Sequence, residues 1–231
     1  PDARAMIRQV IRRPGPDAIV VDAPARLHLG FMDPSGSLGR RFASLGLVID
    51  GLSTRVELAA ATRNEILVAN GGSGDCADAA RLQCHLETLQ ARTARDLPLR
   101  VTLHRATPAH SGFGSGTQLA LAMGHAFARY HRLDMSSGDI AGLLGRGERS
   151  GVGIAGFDRG GLLLDCGPGA DGTVAPLLAR VEFPDEWRVV LVLDERINGL
   201  CGPAERIAMA ALPPFPRELA ADICHQVLMR V

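Results

Sequence analysis

The chemistry of this 231-residue chain is concentrated in four short stretches. The first, Pro108-Ala109-His110-Ser111-Gly112-Phe113-Gly114-Ser115-Gly116-Thr117-Gln118, runs directly into an apolar, alanine-rich segment that ends near His131. Glycines at alternate positions let a backbone approach a ligand closely, and Ser115 and Thr117 supply hydroxyls where a helix begins. A helix N-terminus carries partial positive charge and unpaired N–H groups, so the pattern suits a phosphate or pyrophosphate. A tight loop entering a packed helix would use the same residues.

The second stretch is Ala23-Pro24-Ala25-Arg26-Leu27-His28-Leu29-Gly30. Strand side chains alternate, so Arg26 and His28 share a face and offer a cation and an imidazole to a polar ligand. The third, Asp33 to Arg41, is a turn-rich loop ending in the pair Arg40-Arg41, whose guanidinium forks suit carboxylate or phosphate. A solvated surface is the plain alternative for both. The fourth runs from Gly145 to Gly161 and holds three arginines, two carboxylates and seven glycines. Arg146 and Arg149 offer anion contacts, and Glu148 or Asp158 a metal ligand or base. Val152, Ile154, Ala155 and Phe157 in the same run call for burial, which argues against a free surface loop.

Several elements must hold these stretches in place. Ala18–Ala23, Ser44–Asp50 and Thr54–Ala59 read as strands, and Glu65–Ala69 follows a short polar turn as the partner of an antiparallel hairpin. Gly71-Gly72-Ser73-Gly74 precedes a helix with Leu82, Leu86 and Leu89 on one face. Leu99, Val101 and Leu103 alternate in a strand that feeds the glycine-rich turn, so the order is strand, anion loop, helix. That helix is apolar nearly all round and belongs between layers, with His125 as a satisfied core histidine. Ser136 and Asp139 form a capping box for the next helix, which ends at Gly145–Gly147. Leu162 to Leu164 form a buried strand ending at Asp165, Trp187–Leu193 reads as a strong strand, and helices reach Ala211 and span Ala220–Val231.

Composition limits the partners. Apolar residues make up 46%, enough for a real core, and 25 basic residues balance 25 acidic ones, which argues against a general nucleic-acid binder. Five cysteines without a C-x-x-C pair fit a reducing compartment, and no signal peptide or 18-residue apolar run is found. The expected setting is cytoplasmic, with small-molecule substrates, no nucleic acid and no membrane.

Pro108-x-x-x-Gly112-Phe113-Gly114-Ser115-Gly116 resembles the phosphate loop of the GHMP kinase superfamily, Pro-x-x-x-Gly-Leu-Gly-Ser-Ser, and Ala23–Gly30 resembles its N-terminal motif. A nearer likeness is to the β-ribofuranosylaminobenzene 5′-phosphate synthase family. It rests on Ala25–Phe31, Leu38-Gly39-Arg40-Arg41-Phe42, Gly114–Leu121, and Gly145-Arg146-Gly147 with Ser150-Gly151-Val152-Gly153-Ile154. The resemblance implies an α+β protein. A GHMP-kinase-like N-terminal domain with the ribosomal protein S5 second-domain fold would span 18–175, and a partial ferredoxin-like domain 186–231, after an arm over 1–17. It also implies condensation of phosphoribosyl pyrophosphate with 4-aminobenzoate or 4-hydroxybenzoate, with loss of CO2 and pyrophosphate, as a step of methanopterin biosynthesis. Mg²⁺ is the implied cofactor and a homodimer a possible assembly.

On that resemblance Gly112, Gly114, Ser115, Gly116 and Thr117 hold a phosphate group, and Arg26 and His28 face the ligand. Arg40 and Arg41 take a second anion, Arg146, Arg149 and Ser150 complete the site, and Asp158 or Glu148 aids a metal. Two departures speak against a kinase. Gly116 replaces the second serine, and Ser150–Ala155 carries no carboxylate where the kinases place a catalytic aspartate. An ATP-dependent small-molecule kinase and a non-catalytic RNA-associated module are the alternatives, the latter because this domain type also occurs in RNA-associated proteins.

Overall fold

The computed structural model describes residues 18–69, 75–109, 111–169, 172–193, 199 and 202–230. The expected arm over 1–17, the Gly71–Gly74 turn and most of the run from Asp194 to Cys201 lie outside them. Six strands make one sheet: β1 (Ile19–Asp33), β2 (Phe42–Ala60), β3 (Glu65–Val68), β4 (Leu99–Arg105), β5 (Leu162–Asp165) and β6 (Leu177–Val181). The helices are α1 (Asp75–Thr93), α2 (Ser115–Tyr130), α3 (Ser137–Leu143), α4 (Val152–Arg159), α5 (Gly202–Ala210) and α6 (Arg217–Leu228).

The long strand β2 organises the sheet. β1 pairs antiparallel along one edge, while β4 and β5 share the other, β4 opposite residues 55–60 and β5 opposite 45–47. The two strands expected at Ser44–Asp50 and Thr54–Ala59 are therefore one. The expected hairpin of Thr54–Ala59 with Glu65–Ala69 does not form. β4 occupies that edge of β2, and β3 lies beyond it, parallel to β4 and joined to it through α1. A parallel pair needs such a crossover, and the leucines of α1 supply one apolar face for it: Leu82, Leu86 and Leu89 are fully buried. β6 extends the sheet past residue 175.

The main core fills the space between one sheet face and the helices. Val21, Val56, Leu58, Val101 and Leu103 meet Leu119, Leu121, Met123, Phe127, Ile140 and Phe157 there. A smaller cluster of Ala25, Leu47, Ile49 and Phe113 covers the opposite face. The capping box of Ser136 with Asp139 closes the start of α3 as expected. The charged run Gly145–Gly161 buries Val152, Ile154 and Phe157 as expected, and does so on a helix, α4. One expectation needs correction. The strand expected at Trp187–Leu193 pairs with nothing among the described residues, and its side chains stay exposed, Val190 at 85% and Val192 at 91%. High strand propensity makes no strand without a ladder partner.

Candidate anion site at the start of α2

Register shifts in β1 aim the site. Between Pro24 and Arg26 the pairing with β2 slips, from Pro24 opposite Ser53 to Arg26 opposite Val48. Val21 and Ala23 point into the main core before the slip, and Ala25 joins the opposite cluster after it. A slip by an odd number of residues exchanges the faces of a strand. Arg26 and His28 are thereby brought beneath the helices, on one face as expected. A second slip between His28 and Gly30 keeps Phe31 on that same face.

The glycine-rich turn docks on the free edge of this stretch. Arg26 N donates to Phe113 O and His28 N to Gly112 O, each at 3.1 Å. Phe113, 2% exposed, anchors the turn by burying its ring with Ala25 and Leu47. Gly114, at φ 70°, begins α2 from a left-handed conformation that favours glycine. No side chain caps this helix and its first turn holds no acid, so its first amides, those of Ser115 and Gly116 among them, are open to an anion.

Two arginines flank this helix start. A Cβ on Gly114 would lie 3.1 Å from Arg26 Nε, and one on Gly153 would lie 3.6 Å from the same atom and 3.1 Å from the Thr117 methyl. Arg26 therefore sits between the N-terminal turns of α2 and α4. Its Nε is buried without a hydrogen-bond partner. Burial pushes the guanidinium down to about 10, against the opposing pull of Asp165. On the other flank a Cβ on Gly116 would lie 3.4 Å from an Arg146 terminal nitrogen. Arg146, whose Nε is also buried and unpartnered, is lowered by burial and by the Arg81 charge, with Glu148 and Cys84 opposing. His85, 6% exposed, borders the same flank and is pushed down to about 4 by burial and by Arg146 and Arg81. His28 is likewise held near 4, by burial first and then by Arg26, and both its ring nitrogens are buried without partners. It is a neutral imidazole at neutral pH.

Asp165 ties these parts together and was read in the sequence only as the end of a strand. Fully buried, its carboxylate accepts from Ser44 N at 2.8 Å, Gly167 N at 2.8 Å, Gly151 N at 2.7 Å, Val152 N at 3.3 Å and the Ser150 hydroxyl at 3.2 Å. It caps α4 from across the sheet, and its charge faces Arg26 and His28. Asp33 plays a similar part in the β1–β2 loop. It accepts from the backbone of Gly36 and Leu38 and from the Ser37 hydroxyl. Burial alone would raise its carboxyl, but those bonds outweigh burial and hold it below the usual range.

The expected residues thus divide. Gly112, Gly114, Ser115, Gly116, Thr117, Arg26, His28 and Arg146 come together around the α2 terminus. Ser150 is adjacent, but its hydroxyl is committed to Asp165. Arg149 pairs with Glu205 of α5: its Nη2 donates at 3.0 Å, while Nη1, 2.9 Å from the other carboxylate oxygen, is buried without a hydrogen-bond partner. Arg40 and Arg41 are exposed in the β1–β2 loop, where the Arg41 guanidinium lies 5.2 Å from the centre of the Phe42 ring. Asp158 falls outside the site: it is exposed, at the far end of α4, and accepts from Ser137 of α3. Its neighbour His125 shares Ser137 and stacks on Phe157 at 4.7 Å, as befits a satisfied histidine. Glu148 is exposed beside Arg146. No cluster of three or more metal-ligating side chains occurs among the described residues. No helix among them is long and apolar enough to cross a membrane.

The sheet and the open α2 terminus define a GHMP-type domain. The family model described as GHMP kinases N terminal domain matches residues 80–161. A putative sugar kinase from Campylobacter jejuni superposes with TM-score 0.50 at 17% identity, over 64% of this chain and 55% of that one, so the chain spans about half the length of that kinase. Beta-ribofuranosylphenol 5'-phosphate synthase of Archaeoglobus fulgidus is 31% identical over 220 residues, covering 90% of this chain and 67% of its own length. The protein of the same name from Methanothermobacter thermautotrophicus is 28% identical over 228 residues, covering 92% and 69%. The chain belongs to the beta-ribofuranosylphenol 5'-phosphate synthase family.

Proposed function

We propose that this protein condenses phosphoribosyl pyrophosphate with 4-hydroxybenzoate, releasing CO2 and pyrophosphate and forming a ribofuranosylphenol 5′-phosphate, a pentosyl transfer in methanopterin biosynthesis. The phenol in the relatives' name favours hydroxybenzoate over aminobenzoate. The observation that carries the reading is the pair of arginines, each with a buried, unpartnered Nε, on either flank of an uncapped helix start. Two guanidiniums beside one open helix start suit a ligand with more than one phosphate group, and a departing pyrophosphate is stabilised by donors fixed before it leaves. The first amides of α2 and the guanidiniums of Arg26 and Arg146 are those donors.

The carboxylates argue against phosphoryl transfer to an alcohol, which calls for a base beside the acceptor hydroxyl. Of the two that act on His28, Asp165 is occupied by five donors and Glu205 is paired with Arg149. Both are engaged within the protein rather than standing open beside the α2 terminus. Mg²⁺ usually keeps several waters and binds through substrate phosphates plus one or two carboxylates. The side chains around α2 make no metal cage, and Asp158 points elsewhere, so we infer that any Mg²⁺ is carried in on the pyrophosphate. Soluble anionic substrates fit a cytoplasmic enzyme.

The test is to incubate the protein with phosphoribosyl pyrophosphate, Mg²⁺ and carboxyl-labelled 4-hydroxybenzoate. Labelled CO2 and pyrophosphate in equal amounts are expected. ATP turnover with an alcohol acceptor and no CO2 would overturn the reading in favour of a kinase.

A further inference from the structure

We propose that His28, Phe31 and Phe42, with Arg41 at their outer end, form the subsite for the aromatic acid. This rests on the reading above and gives the second substrate its place. The β1–β2 ribbon continues past the N-terminus of α4, where Val152 packs over Gly46. Beyond that point the helix-facing side of the ribbon carries His28, Phe31 and Ser44, by the pairing of His28 with Gly46 and Phe31 with Ser44, and Phe42 joins them through its ring contact with Phe31. The His28 and Phe31 rings meet edge to face at 4.5 Å, Phe31 and Phe42 are tilted at 5.0 Å, and the Arg41 guanidinium lies over Phe42 at 5.2 Å. Phe31 and Phe42 are both only half-buried, so a row of flat apolar surface opens beside the anion site.

The backbone is bent to present this row. Phe42 and Ala43 have φ of 73° and 51°, two successive non-glycine residues in the left-handed region. Strain of that kind persists where surrounding structure enforces it, and it collects at ligand sites. Gly167 makes room for it here: a Cβ there would lie 3.0 Å from Ala43 N and overlap Arg41 O. Asp165 then ties Gly167 N and Ser44 N to the same carboxylate that caps α4. The Ser44 hydroxyl, on the same face, is buried without a partner. A bent, buttressed segment that displays one aromatic ring and leaves a buried hydroxyl unmatched is built for a ligand rather than for the core.

The chemistry selects an aromatic carboxylate. The ring carbon bearing the carboxylate bonds to ribose C1 as the C–O bond to pyrophosphate breaks, and pyrophosphate leaves with that electron pair. The bond from the ring to the carboxylate then breaks, its electrons restore the aromatic ring, and CO2 departs. No proton is gained or lost, so His28 needs only to orient. Its ring, neutral and next to Arg26, offers an N–H to the carboxylate without a full ion pair, which would hold the carboxylate back from leaving. Phe31 and Phe42 take the ring by offset or edge contact.

Equilibrium binding of 4-hydroxybenzoate in the presence of pyrophosphate, and steady-state KM for both substrates, test this on the full chain. Phe31→Ala and Phe42→Ala are expected to weaken aromatic-acid binding and raise its KM about tenfold, with the KM for phosphoribosyl pyrophosphate unchanged within about twofold. Phe42→Leu, which keeps apolar volume but removes the flat ring, is expected to show the same selective loss and decides the matter if Phe42→Ala does not fold. His28→Gln, which stays neutral and keeps an N–H, is expected to retain more affinity for the acid than His28→Ala. Wild-type affinity for the acid in the phenylalanine variants, or equal loss of both substrates, would overturn the subsite. Failure of the unaltered protein to form the riboside at all would instead overturn the reaction assigned above.

Discussion

Three neighbouring helices begin in three different ways. α3 is closed by its own sequence: the Ser136 hydroxyl accepts from Asp139 N, and the Asp139 carboxylate accepts from Ser136 N. α4 is closed from a distance by Asp165, which accepts from Gly151 N and Val152 N although it stands at the end of β5. α2 is closed by nothing: Gly114 has no side chain to offer, and the residues around the helix start are arginines. A helix end with unmatched N–H groups is unfavourable unless water or a ligand completes it. The chain shows by its treatment of α3 and α4 that it can cap a helix; of these three neighbours the open one faces Arg26 and Arg146, whereas α6, likewise without a side-chain cap, starts from Pro216.

The contrast is broken most severely at Asp165. Asp165→Ala strands four backbone donors and a hydroxyl in a buried place and leaves the Arg26 charge without its counterpart. The loss is expected to be on the order of 4 kcal/mol or more, read as a fall in Tm of roughly 10 °C for a chain of this size. Thermal unfolding followed by circular dichroism checks it. A variant within about 1 kcal/mol of the parent would mean that α4 does not depend on this carboxylate.

The open terminus is blocked next. In Gly114→Val a branched side chain must adopt φ 70° and stand 3.1 Å from Arg26 Nε. Phosphoribosyl pyrophosphate affinity is expected to fall about a hundredfold, roughly 3 kcal/mol, while the far-ultraviolet spectrum is retained. Isothermal titration calorimetry reads the first and circular dichroism the second. Unchanged affinity would remove the glycine turn from the site.

Acidification acts on three rings at once. His28, His85 and His125 are each held near pKa 4, by burial above all, against about 6.5 in an unfolded chain. Below pH 6.5 the unfolded chain therefore binds more protons than the folded one. Stability is full above that pH and falls as pH drops toward 4. Between pH 7 and pH 5 the expected loss is on the order of 2 kcal/mol per ring before solvent screening, and the His28→Gln variant should lose less than the parent. Urea midpoints at the two pH values measure both.

The local rules of the sequence made part of this legible. The leucine spacing of α1, the capping box of α3 and the glycine turn before α2 are written in contiguous residues, so spacing alone reveals them. What was not legible depends on residues far apart. Asp165 works through Ser44, which lies 121 positions earlier in the chain. The slip that turns Arg26 toward the helices is a matter of pairing with β2, and β4's claim on the edge of β2 displaces a hairpin that local pattern favours. The pairing of Arg149 with Glu205, 56 residues on, has no local signal. Asp158 shows the converse: it lies close in sequence to Gly151, but α4 carries it two turns away from that residue.

The smallest expected effect is the sharpest check on the division between closed and open ends. Ser136→Ala removes one member of the α3 capping box, leaving Asp139 N unpaired and the Asp139 carboxylate without the hydroxyl. Loss of such a cap costs about 1 kcal/mol, a few degrees in Tm for a chain of this length. Because α3 starts against His125, in the C-terminal half of α2, the affinity for phosphoribosyl pyrophosphate should stay at the parent value. The two measurements separate the roles: stability falls and binding does not, the reverse of Gly114→Val. If Ser136→Ala weakened binding in proportion to its loss of stability, the α2 terminus would be only one more part of a cooperative fold, and its lack of a cap would no longer mark it as a site.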